Sequence, residues 1–134
     1  MPDKYRAKLQ AAPEASFHVL EPEKAKRMNA ATLYIPSTED VKKVISEIPC
    51  GSTMTVVEIR LKLAREHNAE TACPAVTIKY WKWFAYAMED EGGEEIPWWR
   101  VLKDGKVNDT LPASHFDRLV AEGVEPVRSK KSTD

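Results

Sequence analysis

Two cysteines are the most nucleophilic side chains in this 134-residue sequence. The two cysteines, Cys50 and Cys73, lack the neighbouring Cys or His residues of a zinc site, so we expect no metal and no cofactor. Cys73 stands before Pro74 at a predicted helix N-terminus, where the helix dipole favours a nucleophilic thiolate. A buried, unreactive cysteine is the alternative at this position. Cys50 lies in a predicted turn and has less to recommend it as a nucleophile.

A second unusual stretch is "EEIPWWRVLKDGKVN" (94–108), which places Trp98 and Trp99 between Pro97 and Arg100. Trp buries a large area, and its ring N–H needs a partner when it is buried. The pair therefore either fills the core or forms one wall of a binding pocket. Arg100 has two interpretations as well: it lines that pocket, or its guanidinium binds backbone carbonyls or a carboxylate.

Length and composition set the protein class. A chain of 134 residues is long enough for one domain with a real core, and 43% apolar and 31% charged residues are ordinary for a globular protein. No apolar run approaches the roughly 18 residues of a membrane span, and the N-terminus lacks a signal-peptide core. Two cysteines are too few for a disulfide framework. We therefore expect a cytoplasmic protein that does not bind membranes.

The charge balance limits nucleic-acid binding. The formal net charge is −1, and residues 37–110 carry 10 Lys or Arg against 13 Asp or Glu. Five of those acids fall within residues 89–95. Strong phosphate binders are basic, because their affinity comes from neutralising phosphates. Any affinity for DNA should therefore be local and modest.

Two predicted helices begin with capping boxes. Ser37 and Asp40 open one, which Pro49 ends, and Thr55 and Glu58 open the next. Apolar residues recur in each at helical spacing. With the helix that follows, these stripes predict a shared core of Val44, Ile45, Ile59, Leu63, Tyr80 and Phe84.

A third helix is predicted from about residue 74 to residue 88, with Thr71 as its cap and residues 89–95 as a loop. The Asp104–Gly105 pair then predicts a β-hairpin, and "SHFDRLVAEGV" (114–124) predicts a short final helix that starts at Ser114, with Gly123 just past its end. The histidines at predicted helix ends are expected to be caps or surface residues; they are His67 and His115.

The order of these elements predicts the fold class: a mainly α domain with a small β-hairpin, of the winged helix-turn-helix type. Three helices, a hairpin wing and a C-terminal helix occupy residues 37–127, and in such domains the third helix reads DNA. Residues 1–36 are expected to form an N-terminal extension packed on this domain, with a short helix near residues 4–10. Residues 128–134 are expected to be a disordered tail.

Three segments within this domain stand out together: "IPCGSTMTVVEIRLKLA" (48–64), "IPWWRVLKDGKVN" (96–108) and "RLVAEGV" (118–124). In the same order, they resemble three parts of the alkylguanine-DNA alkyltransferases. These parts are the Ile-Pro-x-Gly…Thr…Ile-Ala segment, the Ile-Pro-Cys-His-Arg-Val active-site stretch with its Asp-Gly turn, and the closing Leu-x-x-Glu-Gly-Val helix. The resemblance covers roughly residues 37–127 and implies the C-terminal DNA-binding domain of that family.

The resemblance also implies a loss of chemistry. The family's acceptor cysteine falls on Trp98 and its activating histidine on Trp99, so the protein is expected not to be an alkyl-transfer enzyme. Trp in place of the cysteine is similar to the alkyltransferase-like proteins, which hold a flipped alkylated guanine and recruit repair machinery. This implies a base pocket in which Trp98 stacks on the extruded base. The candidate pocket residues are Pro97, Trp98, Trp99, Arg100 and Val101.

The DNA-reading helix departs from the family pattern. Where family members have a phosphate-rotating Tyr, this chain has Val56 or Val57, and Pro74 stands where their intercalating Arg belongs. Lysines on this helix either face DNA phosphates or form a solvated face. The candidate recognition-helix residues are Thr71, Cys73, Pro74, Thr77, Lys79 and Lys82.

Three functions remain open at this point. The first is a non-enzymatic, alkyltransferase-like protein that binds double-stranded DNA with modest affinity as a monomer, together with a repair or regulatory protein. The second is the same fold without DNA binding, acting as a protein-interaction module through the acidic 89–95 stretch. The third is a thiol-dependent activity at Cys73.

Overall fold

Three helices form the centre of the domain, and shorter elements surround them. The computed structural model describes residues 4–93, 95–103, 111–112 and 114–125. In chain order the elements are α1 (Lys4–Ala11), β1 (Ser16–Val19), α2 (Pro22–Met28), β2 (Thr32–Ile35), α3 (Thr38–Ser46), β3 (Met54–Thr55), α4 (Val56–Glu66), β4 (Thr71–Ala72), α5 (Pro74–Glu91), a 3-10 turn (Trp98–Arg100), β5 (Val101–Leu102) and α6 (Ser114–Ala121). The prediction of a mainly α domain with a small β component is confirmed.

Both predicted capping boxes are present. Ser37 Oγ accepts the backbone N–H of Asp40 at 3.1 Å, and the Asp40 carboxylate accepts the Ser37 N–H at 3.0 Å. Thr55 and Glu58 make the same reciprocal pair at 3.1 Å and 2.7 Å. Each box satisfies two N–H groups that a helix start leaves unpaired, which fixes where α3 and α4 begin.

The long helix α5 begins at Pro74, as predicted, but it ends at Glu91, beyond the predicted end. The prediction of a loop over residues 89–95 is therefore wrong for its first three residues. The carboxylate of Glu91 accepts the backbone N–H groups of Tyr5 and Arg6, the second at 3.0 Å. The last turn of α5 thus caps the start of α1, and this contact favours the helical conformation of residues 89–91.

The predicted core is confirmed. All six residues assigned to it from the helical stripes are buried, and they pack in one apolar cluster with side chains of α3, α4 and α5. The largest fully buried side chains are Trp81 on α5 and Trp98 on the 3-10 turn. Burial of such rings contributes much of the stability of a domain of this size.

The N-terminal region is built into the fold. The ring of Tyr5 on α1 stacks on that of Tyr86 on α5, with centroids 5.4 Å apart. β2 pairs antiparallel with β1 on one side and parallel with β4 on the other, so it is the central strand of a three-stranded sheet. Since β4 lies between α4 and α5, residues 32–35 pair with the connection between these two helices.

The strand β4 corrects the prediction that Thr71 caps the third helix. Thr71 lies in β4, opposite Leu33 of β2, and Arg60 Nη2 donates to its Oγ1 at 3.1 Å. Cys73 occupies the N-cap position of α5 instead, with no side-chain hydrogen bond to the helix start. The parallel pairing with β2 keeps Thr71 in extended backbone and outside the helix.

A second small sheet joins β3 to β5 in parallel, with Met54 opposite Val101. The predicted hairpin turn at Asp104–Gly105 lies outside the described residues, as does the predicted tail at 128–134. The C-terminal helix α6 ends as predicted, with Gly123 at a φ of +84°. Within the described ranges, no helix is long and apolar enough to cross a membrane.

Candidate functional site

Trp98, the expected base-stacking residue, lies in the core. None of its surface is exposed, and Trp81 Nε1 donates to its carbonyl oxygen at 2.9 Å. Its ring centroid is 6.0 Å from that of Trp99, edge to face, and 5.1 Å from that of His115. The expectation that Trp98 forms a solvent-reachable pocket wall is therefore wrong for this structure. Packing between α5 and α6 seals the ring.

The other residues expected to line the pocket also pack within the fold. Pro97 and Val101 are buried, and Trp99 is 7% exposed. Val101 continues into β5 and pairs with β3, so its side chain belongs to the apolar cluster. The five residues from Pro97 to Val101 thus hold the segment in place and do not form an open pocket.

Two ring nitrogens in this cluster lack a hydrogen-bond partner among the described residues: Trp98 Nε1 and His115 Nδ1. His115 Nε2 lies 3.0 Å from the carbonyl oxygen of Trp99, which can only accept, so this nitrogen carries the proton. Nδ1 is then the acceptor of the ring, and no described residue donates to it; Trp98 Nε1 is a donor with no acceptor among the described residues. Buried polar groups in this state destabilise a fold by about 1–3 kcal/mol each.

His115, expected at the surface or as a cap, is fully buried on α6. Burial lowers the pKa of its ring from 6.5 to about 4, since desolvation disfavours the charged form, although the Trp99 carbonyl opposes this shift. The ring is therefore neutral in the folded protein at neutral pH.

The free energy of unfolding should decrease at acidic pH, where His115 becomes protonated in the unfolded chain but not in the folded protein. Above pH 6.5 the ring is neutral in both states, and its contribution to stability is fully present. Between pH 6.5 and about 4 the unfolded chain binds a proton that the folded chain does not. The free energy of unfolding should then decrease by up to about 1.4 kcal/mol per pH unit, measured by urea unfolding. His115→Gln should remove this part of the pH dependence; an unchanged slope in the variant would contradict the assignment.

Arg100 forms an ion pair with Glu122, at the end of α6. Arg100 Nη2 lies 2.7 Å from Glu122 Oε2, and Nε donates to Oε1 at 3.0 Å. Arg100 Nη1 also donates to the carbonyl oxygen of Ile48 at 2.8 Å. These bonds lower the pKa of Glu122 to about 2. The structural interpretation of Arg100, as a partner of a carboxylate and a carbonyl, is confirmed.

Glu122 also accepts hydrogen bonds from a tryptophan ring and from a backbone N–H group. Trp99 Nε1 donates to its Oε2 at 2.9 Å, and the Gly51 N–H points to its Oε1 at 3.5 Å. The partners of this carboxylate therefore come from "IPCG" and "IPWWRV", and Glu122 itself lies in "RLVAEGV", so the site joins the three segments that carry the family resemblance. Sequence reasoning did not single out Glu122, although its position in the third segment was a usable signal.

The expected recognition-helix residues are only partly available to a ligand. Thr77 is fully buried, and its Oγ1 donates to the Cys73 carbonyl at 2.8 Å, so the expectation that it contacts DNA is wrong. Cys73 and Pro74 are half-buried at the start of α5. Among the six candidates only Lys79 is exposed, while Lys82 is half-buried.

The helix α1 was not expected at this surface. It lies along the second half of α5, where Lys8 of α1 and Lys79 of α5 both approach the ring of Trp83. α1 therefore covers part of the surface of α5 and leaves its first turns uncovered by this contact. The charged residues on α1 are close enough to share in any contact that α5 makes.

The remaining chemical groups are separate from one another. Cys50 is exposed beside Arg100, and Cys73 is half-buried with its backbone N–H bonded to Tyr34. No group of three His, Cys, Asp or Glu residues in the described ranges has the geometry to hold a metal ion.

Comparison of the chain with protein families, curated proteins and solved structures gives no match.

Proposed function

We propose that this protein is a non-enzymatic DNA-binding domain related to the alkyltransferase-like proteins. The observation that carries the proposal is the convergence on Glu122 of the three segments that resemble the alkyltransferases. Residues 71 positions apart in the chain, Gly51 and Glu122, meet at a single carboxylate, as parts of one ancestral site would. The succession of α3, α4, α5, β5 and α6 supports the same relationship.

The proposed loss of alkyl transfer follows from the groups at this site. An acceptor must be a nucleophile with a base beside it, and Trp98 offers an indole ring in the core. Trp99 Nε1 can only donate a hydrogen bond, so it cannot act as a base, and it donates to the carboxylate of Glu122. Glu122 itself is held as a carboxylate by Arg100. Each residue at the former reaction centre therefore has a packing or charge-pairing role.

The proposal does not include stacking of an extruded base on Trp98. Recognition of an alkylated base there would need the ring to leave the core, which would expose its apolar neighbours. Binding should instead depend on contacts to the DNA backbone. We therefore propose binding to double-stranded DNA that is modest, sensitive to salt and indifferent to guanine alkylation.

The test is a titration with two duplexes that differ only in one alkylguanine. We expect dissociation constants within about threefold of each other, and loss of binding as salt rises from 50 to about 200 mM. Intact-mass spectrometry of the same mixtures should show no added alkyl group. An adduct on Cys50 or Cys73, or tight selective binding of the alkylated duplex, would contradict the proposal.

The alternative, a protein-interaction module using the acidic stretch 89–95, has less support. Glu89 makes an ion pair with α6, and Glu91 caps α1. Glu95 pairs with Arg6 at 3.1 Å. Three of the five acidic residues in this stretch therefore make contacts within the chain, which reduces the negative charge that the stretch offers to a partner protein.

A further inference from the structure

Lysines and aromatic rings alternate along the line where α1 packs on α5. We call this surface the α1–α5 seam and define it by Lys4, Tyr5, Lys8, Lys79 and Trp83. Lys4 Nζ lies 5.3 Å from the ring centroid of Tyr5, and Lys8 Nζ lies 5.7 Å from the same centroid. Lys8 and Lys79 reach Trp83 from two different helices, at 5.5 Å and 5.2 Å. The seam therefore carries three cations from two elements on one face.

Among the described residues, no ion pair neutralises the three lysines of the seam. Lys4, Lys8 and Lys79 are exposed. Glu95 is paired with Arg6, whereas Glu91 accepts backbone N–H groups at the start of α1 and keeps its negative charge. The three ammonium groups of the seam therefore outnumber this carboxylate. This local excess stands out in a chain whose net charge is −1.

The aromatic rings restrict where the ammonium groups lie. An ammonium within about 6 Å of a ring face is attracted to it, while its outward N–H groups remain free to bind an anion. Holding the lysines near the rings reduces the conformational entropy that binding would cost. Lys acts as a compact point charge, which suits the phosphates of a backbone better than bidentate recognition of a single group.

We propose that the phosphate backbone of duplex DNA lies along the α1–α5 seam and is contacted by Lys4, Lys8 and Lys79. This inference rests on the proposed function and adds where the DNA binds. It assigns part of the interface to α1, which lies outside the 37–127 region that resembles the alkyltransferases. It also accounts for binding by a domain whose predicted recognition helix is largely buried or covered.

The experiment compares two triple variants that remove the same charge. The seam variant is Lys4→Gln/Lys8→Gln/Lys79→Gln, and the control is Lys24→Gln/Lys26→Gln/Arg27→Gln on exposed positions of α2. Affinity for a plain duplex is measured at several salt concentrations. Each phosphate contact adds about 0.9 to the slope of log affinity against log salt. The seam variant should therefore lose about 2–3 from the slope and at least about tenfold in affinity at low salt, with little change in the control.

Two further variants separate charge from folding. Lys8→Arg/Lys79→Arg keeps the charge and the ring contacts, so it should bind DNA within about threefold of the wild type. Lys79→Glu leaves α1 intact and should weaken binding even if the triple variant does not fold. A seam variant that binds like the wild type, or a control that loses as much, would overturn the seam while leaving the proposed function standing. Wild-type protein that binds no duplex at low salt would overturn both, and equal competition by polyglutamate would overturn the assignment to DNA.

Discussion

Replacement of Trp98 by alanine should lower the free energy of unfolding by about 3–5 kcal/mol, the range for removing a buried aromatic ring. The ring has no exposed surface and packs against Trp99 and His115. Its loss would leave a cavity between α5 and α6 that the surrounding helices close only in part. Urea unfolding of the purified protein measures the change.

Two substitutions serve as comparisons. Trp83→Ala removes a half-buried ring at the surface and should cost clearly less. Trp98→Phe keeps most of the packing and removes an unpaired buried N–H, so it should cost less than about 1.5 kcal/mol. A near-neutral Trp98→Ala would mean that the ring lies outside the core in solution, and a base pocket at Trp98 would again be the better interpretation.

The second large effect is expected at the ion pair between Arg100 and Glu122. Their side chains are 17% and 12% exposed, so water screens the pair weakly. Glu122→Ala would leave the Arg100 guanidinium and the Trp99 N–H without their acceptor. Breaking a buried pair from one side typically costs about 3–5 kcal/mol, and we expect a loss in the lower part of this range, by thermal or urea unfolding.

A double-mutant cycle tests whether the pair acts as a unit. Arg100→Ala/Glu122→Ala should cost little more than either single change, because the second substitution removes a group that is already unpaired. The exposed pair of Lys62 and Glu47, at 39% and 48% exposure, is the control. Glu47→Ala should cost at most about 1 kcal/mol. Equal losses at Glu122 and Glu47 would contradict a structural role for the buried pair.

Local signals in the sequence predict much of the helical framework. The capping boxes at Ser37 and Thr55 and the proline at position 74 act within one helical turn, so their partners can be seen in the sequence itself. The helical stripes predict the core for the same reason. The end of α5 could not be predicted, because Glu91 is held by the N–H groups of α1, far away in the chain.

Local sequence patterns do not predict very short strands, nor do they predict which side chains tertiary packing buries. β4 has two residues, which is too short for an alternating pattern, and it forms because β2 is beside it. Trp98 illustrates the same limit at the candidate site, since its sequence context suits a pocket wall and a core residue equally. The burial of His115 likewise depends on how α6 packs. These outcomes depend on tertiary contacts rather than on residue type.

The central position of β2 has a consequence for synthesis on the ribosome. β1 and β2 are synthesised before β4, so β2 lacks one of its two partner strands until β4 has been made. After Ile35, 37 further residues must be added before Ala72 is in place. At roughly 5–20 residues per second this takes about 2–7 s. During that time the antiparallel pair of β1 and β2 has an open strand edge. Phe17 and Val19 of β1 are exposed as well, and they remain so in the folded protein. The β1–β2 pair is therefore open to a chaperone at the exit tunnel until β4 has been made.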